Sequence, residues 1–548
     1  MNHFSFLNRE KIINRLKAEE FDLLIIGGGI TGAGIALDAS SRGMKVALVE
    51  KNDFASGTSS KSTKLIHGGL RYLKQFDFLL VKEVGTERAI VHKLAPHLVV
   101  PEKMLLPLID GGTYGAWLTS IGLKIYDVLA KVEDEDKRKM LDKKSALKKE
   151  PLLPETILKG AGYYAEYRTD DARLTLELIK TALDYSTNSI NYTEVLDFLY
   201  EKKRVVGATV KDRFTDDCFN IYAKHVVNAT GPWVDDLITK NTSKTNKKLH
   251  LTKGVHLVVP HNKLPLKQSV YFDVPDGRMM FAIPRGEATY FGTTETNYQG
   301  NKNNIETTLA DATYLISAIN NMFPKTHISL GDVKSSWAGL RPLIDQRGVS
   351  SSELSRKDEI FVSNTELISI AGGKLTGYRK MAERVVNLIA NKHKHRFKKE
   401  FPKSRTDKII VSGGIFNGFN DVKSYIDKIY TKISKVGFNK KDAQYLVYNY
   451  GLQTNIIMSK FDKLEDNCSY IKMIKSEVWF TIYYEMACTP LDFFVRRTGR
   501  MYFNPDSVAN YKKLVLNEFS NYFSWNKSTS KKHKLKLEKE LKLISFFK

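Results

Sequence analysis

The sequence predicts an α/β fold, and three observations predict it. A βαβ unit surrounds a glycine-rich turn near the N-terminal end, a block of strand patterns occupies the middle, and helical patterning dominates after residue 400. These give a Rossmann-like layer, a layer with an antiparallel sheet, and a C-terminal helical layer. The chain has 548 residues, enough for about two to four domains. Its 42% hydrophobic and 27% charged residues describe a chain with a sizeable core rather than a disordered one.

Residues 1–20 are polar with scattered apolar positions and read as a short surface helix. Phe21–Ile26 is an apolar run of strand length that meets Gly27-Gly-Gly-Ile-Thr-Gly32 and passes into AGIALDASSRG, a helical pattern ending at Gly43. Lys45–Glu50 is a second buried strand. Thr58–Lys64 (TSSKSTK) is a polar loop; 78–95 and 130–150 are helical in pattern. Residues 189–227 alternate like strands and hairpins, and 245–300 is strand-rich (LHLTKGVHLVVP, SVYFDV, RMMFAIPR, ATYFGTT). Glu366–Ala371 is a strand that runs into Gly372-Gly373 and a helix through His393. The basic stretch HKHRFKKEFPKSRTDK is the linker candidate, and a lysine-rich tail ends the chain.

The formal net charge is +24, which admits nucleic acid, an anionic membrane surface or an anionic substrate. The excess is uneven: residues 401–548 hold 26 Lys+Arg against 14 Asp+Glu, a net of +12. The three cysteines are too few and too dispersed for a disulfide scaffold, and no metal site is expected. There is no apolar run of spanning length and no secretion-type N-terminus, so the expected location is the cytoplasm.

Gly27-x-Gly29-x-x-Gly32 carries chemistry because of its context. Gly27 permits the tight turn, Gly29 lets backbone approach a pyrophosphate, and Gly32 lets the helix pack on the strand. Ile30 and Thr31 open a helix whose N-terminus favours phosphate. Glu50 closes the second strand and suits a ribose hydroxyl. Further contacts are expected from Thr58, Ser59, Ser60, Lys64, Leu65 and Ile66 in the polar loop and the residues after it, and from Ala229 and Gly231 in VVNATGPW. Gly373, Lys374, Leu375 and Thr376, at a strand–glycine–helix junction, complete the set. Contacts this dispersed along the chain fit the long cofactor FAD better than NAD.

The strings GGGITGAGIALDASSRG, TSSKSTKLIHGGLRYL, DDARL, NATGPW, KGVHLVVP, FGTTE, WAGLRPL, SRKDE and AGGKLTGYRKMAE resemble, in order, the FAD-dependent glycerol-3-phosphate dehydrogenases of bacterial, aerobic, quinone-reducing type. The segment TPLDFFVRR is similar to that family's helical cap. The resemblance implies an FAD domain of glutathione-reductase/amino-acid-oxidase type, discontinuous over 20–95, 160–240 and 330–395. A substrate-binding domain would take 96–159 and 241–329, a helical domain 401–525, and a basic amphipathic tail 526–548. It implies oxidation of sn-glycerol 3-phosphate to dihydroxyacetone phosphate, the C2 hydrogen leaving as hydride to flavin N5 and the electrons passing to membrane quinone.

Such a site needs cations for the phosphate and an acceptor for the hydroxyl proton. His67 in LIHGGLRY and His256 in KGVHLVVP are the titratable candidates. Arg71, Arg341, Arg356 and Lys374 are the cations, and Tyr72 is a pocket-lining candidate. Arg341 lies in an apolar context where an arginine requires a partner. The residues leave open which of His67, His256 and Arg341 takes the proton.

Arg496, Arg497 and Arg500 are expected on a solvated helix face paired with acidic neighbours. In the tail, Leu537, Leu541, Ile544 and Phe547 share one helical face among eight lysines, the pattern of a helix lying on an anionic bilayer. The expected placement is therefore cytoplasmic, peripheral to the inner face of the cell membrane, with room for a homodimer. The alternatives weighed are a glycerol-3-phosphate oxidase that makes hydrogen peroxide, an amine-oxidising flavoenzyme of the same fold, and a basic flavin-containing tRNA-modifying protein. Nucleic acid is not an expected partner, because no recognition motif for it is present.

Overall fold

The computed structural model describes residues 4–67, 78–112, 138–241, 248–345 and 357–547. Two sheets organise it. The first has eight strands among the described residues. Its centre is Glu20–Ile26, flanked in parallel by Cys218–Asn228 and Val46–Val49. The order continues outward to Asn188–Ile190 on one side, and to Ile368–Gly372 and Asp358–Val362 on the other. A β-meander, Thr193–Glu201 and Arg204–Asp212, runs into Cys218–Asn228. Phe21–Ile26 is buried at every position, as a parallel strand covered on both faces requires.

The helix Ile30–Ser41 is buried at every residue but Thr31. It packs between the helices Asp171–Leu183 and Tyr378–Phe397, which explains why its sequence is apolar and small all round rather than amphipathic.

The second sheet has ten strands among the described residues and is antiparallel except where Ser269–Asp273 meets Val100–Ile109. One of its two longest pairs joins Leu249–Pro260 to Ser335–Ile344, setting Thr252 opposite Arg341, Gly254 opposite Gly339 and His256 opposite Trp337. Two expected boundaries move. Most of Leu158–Arg168, from residue 160 on, and all of Ser335–Ile344 fall inside the stretches assigned to the FAD domain, yet both strands pair in this second sheet. Each alternates or runs apolar at strand length, so pattern alone does not say which sheet it joins.

Residues 419–522 form the helical layer, with a core that includes Val422, Ile429, Leu446, Tyr450, Ile457 and Phe480. The tail is the helix Lys527–Leu543, capped by Asn526. Its apolar face is not available to a bilayer. Leu537 and Ile544 are buried, in one cluster with Trp337, Tyr290 and Tyr502, and Phe547 packs on the core of the second sheet. The stripe that reads as a membrane face serves the protein's own core. No described helix is long and apolar enough to cross a membrane.

Candidate active site

The parallel pairing of Ile26 with Asn228 brings two turns together at the C-terminal ends of neighbouring strands, where α/β sheets bind ligands. Gly27 has φ +113°, and a Cβ there would come within 2.6 Å of the Ala229 carbonyl oxygen. A Cβ on Gly32 would overlap the Gly27 carbonyl oxygen itself. The helix start has no cap from Gly29; the Ser59 hydroxyl accepts from the Ile30 N–H instead, at 2.9 Å. Glu50 accepts the N–H groups of Gly28 (2.8 Å) and Asn52 (2.9 Å). Burial outweighs these bonds and raises its carboxyl above the usual range.

A cavity of about 900 Å³ runs from this turn to the second sheet. Of the expected cofactor residues, Gly27, Gly29, Ile30, Thr31, Glu50, Thr58, Ser59, Leu65, Ala229, Gly231, Gly373, Lys374, Leu375 and Thr376 line it. Gly32, Ser60, Ile66 and Lys64 do not. Lys64 is the informative correction: its ammonium is buried, 2.5 Å from Asp171 and 3.2 Å from the Ser60 carbonyl oxygen. Its charge is consumed inside the fold. Lys61, three residues earlier in the same loop, lines the cavity in its place, and burial lowers its pKa.

At the far end, His67, His256, Arg341 and Lys374 converge. Thr376 joins the loop of His67 to the glycine–helix junction, its hydroxyl 3.2 Å from both the N–H and the carbonyl oxygen of His67. His67 meets Phe281 edge-on at 5.6 Å. Arg341 donates to the Thr294 carbonyl oxygen at 3.0 Å and to the Thr293 hydroxyl. Its guanidinium carbon lies 2.7 Å from where a Cβ on Gly254 would sit, so that glycine makes room for it. His256 stacks on Trp337 at 4.9 Å, and its Nε2 lies 3.1 Å from the Thr63 hydroxyl. Burial first, then the nearby charges of Arg341 and Lys64, hold its pKa well below the ordinary value, so its ring is neutral. Arg71, Tyr72 and Arg356 lie outside the described residues.

The expected solvated face at Arg496 and Arg497 is also corrected. Both side chains are buried against Asp53 and, for Arg496, Asp492, while Arg500 pairs with Glu477 at 2.6 Å. The pairing was foreseen and the burial was not.

Sequence reasoning missed several lining residues. Trp233 and Lys51 close one side, held to Asn303 at 3.1 and 3.2 Å. Tyr271 and Phe281 stack at 4.3 Å and, with Met279, form an apolar wall. In NATGPW the small residues carry the signal and the tryptophan does not; the strand patterns of the aromatic wall read as ordinary core, and Asn303 carries no signal.

The residues fit FAD. The cavity begins at a dinucleotide turn with a half-buried ribose-type carboxylate, Glu50, and reaches the second sheet. His256 Nδ1 at its other end is a buried polar atom with no hydrogen-bond partner among the described residues. Among those residues, no group of three or more His, Cys, Asp or Glu is arranged to hold a metal ion.

Residues 22–377 match the family described as FAD dependent oxidoreductase, and residues 404–530 match the C-terminal domain of alpha-glycerophosphate oxidase. The chain is 49% identical to the aerobic glycerol-3-phosphate dehydrogenase of Bacillus subtilis (strain 168), covering 99% of this chain and 98% of that one. It is 47% identical to the Staphylococcus haemolyticus enzyme of the same name, covering 96% and 95%. The crystal structure of glycerol-3-phosphate dehydrogenase from Bacillus halodurans complexed with FAD superposes with a TM-score of 0.84 at 42% identity, covering 99% of each chain. With a turn, a carboxylate and a cavity suited to the same cofactor, the chain belongs to the FAD-dependent oxidoreductases, in their glycerol-3-phosphate dehydrogenase branch.

Proposed function

We propose that the chain oxidises sn-glycerol 3-phosphate at C2 to dihydroxyacetone phosphate. The observation that carries this reading is the single cavity joining the dinucleotide turn to His67, His256, Arg341 and Lys374. FAD, when bound, supplies the two-electron acceptor for the C2–H bond. Arg341 and Lys374 hold the phosphate, the first as a fork fixed by Thr293 and Thr294, the second as a compact charge. His256 orients the C2 hydroxyl. The burial and the cationic surroundings that keep its ring neutral also oppose its taking a proton. His67, half-buried at the cavity edge, is the better-placed proton acceptor.

The acceptor in this reading is membrane quinone. The outer face of the tail helix supports a peripheral place on an anionic membrane. Lys527, Lys531, Lys532, Lys534, Lys536, Lys539 and Lys542 are exposed there, with Leu535 (56% exposed) and Phe546 (66%) among them. Membrane contact would thus use the lysine face, opposite the docked apolar one.

Anaerobic addition of glycerol 3-phosphate should bleach the flavin absorbance, and a quinone analogue on anionic vesicles should restore it faster than oxygen does. Absence of bleaching would overturn the substrate. Reoxidation by oxygen at the turnover rate would favour the oxidase reading.

A further inference from the structure

The loop after the second parallel strand wraps the cavity from both sides of a buried anchor. Glu50, Lys51 and Asn52 line the cavity before it, and Ser56, Gly57, Thr58 and Ser59 line it after. Between them Asp53, Phe54 and Ala55 are buried, at 1%, 0% and 1% exposure. Asp53 is held almost entirely from elsewhere. Arg497 grips it with both terminal nitrogens, at 2.6 and 2.9 Å, Arg496 Nε donates to it, and Asn191 donates at 2.9 Å. Burial opposes the charged form of Asp53, but the two guanidinium groups outweigh it and hold the carboxyl at about 2.

Both arginines come from the C-terminal helical layer, on a single π-helical turn, Phe493–Arg497. That turn is itself fixed. Asp492, the residue before it, accepts the N–H groups of Cys488 and Thr489, receives Arg496 at 2.7 Å, and takes the Tyr192 hydroxyl at 2.7 Å. Arg497 also donates to the Glu485 carbonyl oxygen at 2.8 Å. Tyr192 returns to the loop through its own N–H, which donates to the Asn52 carbonyl oxygen at 2.8 Å. The network thus closes on the segment that carries Glu50.

We propose that Arg497, supported by Arg496, is a positioning residue for the cofactor. By gripping Asp53 it sets the cavity-lining loop, so the C-terminal layer forms part of the FAD site without touching it. Breaking an ordinary buried ion pair would cost stability alone; this one sits in the middle of the wrapping loop, with lining residues on both sides.

The test uses the full chain, stripped of flavin and retitrated with FAD. R497K keeps the charge and removes the fork. It should raise the Kd for FAD at least tenfold and shrink the FAD-induced rise in melting temperature. E477Q is the control, because Glu477 pairs with Arg500 in the same layer without reaching the loop. It should lower the melting temperature of the apoprotein and leave the Kd unchanged. If R497K does not fold, N191S, which removes the neutral donor to Asp53 together with its contacts to the Met486 carbonyl oxygen and the Cys488 thiol, carries the same test with a smaller rise in Kd. A wild-type Kd in the folded variant, or an equal rise in E477Q, would overturn the proposal. The inference rests on the FAD reading, and the two fail separately: wild-type apoprotein that takes up no FAD defeats the reading, whereas equal uptake by wild type and variant defeats only the anchor.

Discussion

The two ends of the cavity are made of different material. The dinucleotide end is made of backbone: Gly27 presses on Ala229, Gly32 presses on Gly27, and the helix start is tied down through its own Ile30 N–H, which donates to the Ser59 hydroxyl. The other end is made of side chains delivered from separate elements, His67 from a loop, His256 and Arg341 from adjacent antiparallel strands, and Lys374 from a glycine–helix junction. A backbone site fails when an atom is added to it, because the main chain has nowhere to go. A side-chain site fails when an atom is removed, and the scaffold survives.

That contrast can be broken by substitution. The largest effect is expected at the backbone end, where G32A places a methyl on the Gly27 carbonyl oxygen. It should yield protein without flavin, read as the loss of visible absorbance after purification; a fully loaded, active variant would remove the distinction. Next, R341A should retain FAD and lose turnover about 100-fold, roughly 2.7 kcal/mol of transition-state stabilisation. Wild-type turnover in R341A would end its assignment to the phosphate.

A smaller effect sharpens the same contrast away from the site. His97 and His225 are neutral in the fold. Burial first, then Arg173 and Lys180 for His97 and His393 for His225, lower both pKa values to about 3. Both bind a proton in the unfolded chain below about pH 6.5, so their contribution is complete above that value and declines as pH falls toward 3. Each should subtract about 2 kcal/mol by pH 5. H97Q cannot take that proton, and its urea midpoint should fall less between pH 7 and pH 5 than that of the wild type. Parallel curves would show that His97 titrates normally.

The same contrast explains what the sequence discloses. The βαβ unit is legible because its glycines, strand and helix are local: Gly27, Gly29, Gly32 and Glu50 act within one short stretch. Lys64 was misread because its partner, Asp171, is 107 residues away, and no pattern inside TSSKSTK says which lysine turns inward. Periodicity revealed the tail's apolar stripe but not what would cover it, and the cover is supplied by Trp337, Tyr290 and Tyr502 from strands and a turn elsewhere in the chain. Arg496 and Arg497 read as surface for the same reason: burial of a charge is decided by a distant carboxylate, here Asp53 and Asp492.

The docked tail also ties the active site to residues remote from it in the chain. His256 stacks on Trp337, and Trp337 belongs to the buried cluster that Leu537 and Ile544 complete. Leu537 and Ile544 lie about 200 residues after Trp337 in the sequence, so the layer behind His256 closes only when the tail helix docks. The tail helix therefore acts as a latch: undocking it would open the aromatic seam behind His256 and leave the glycine turn, built from residues around Gly27–Gly32, in place.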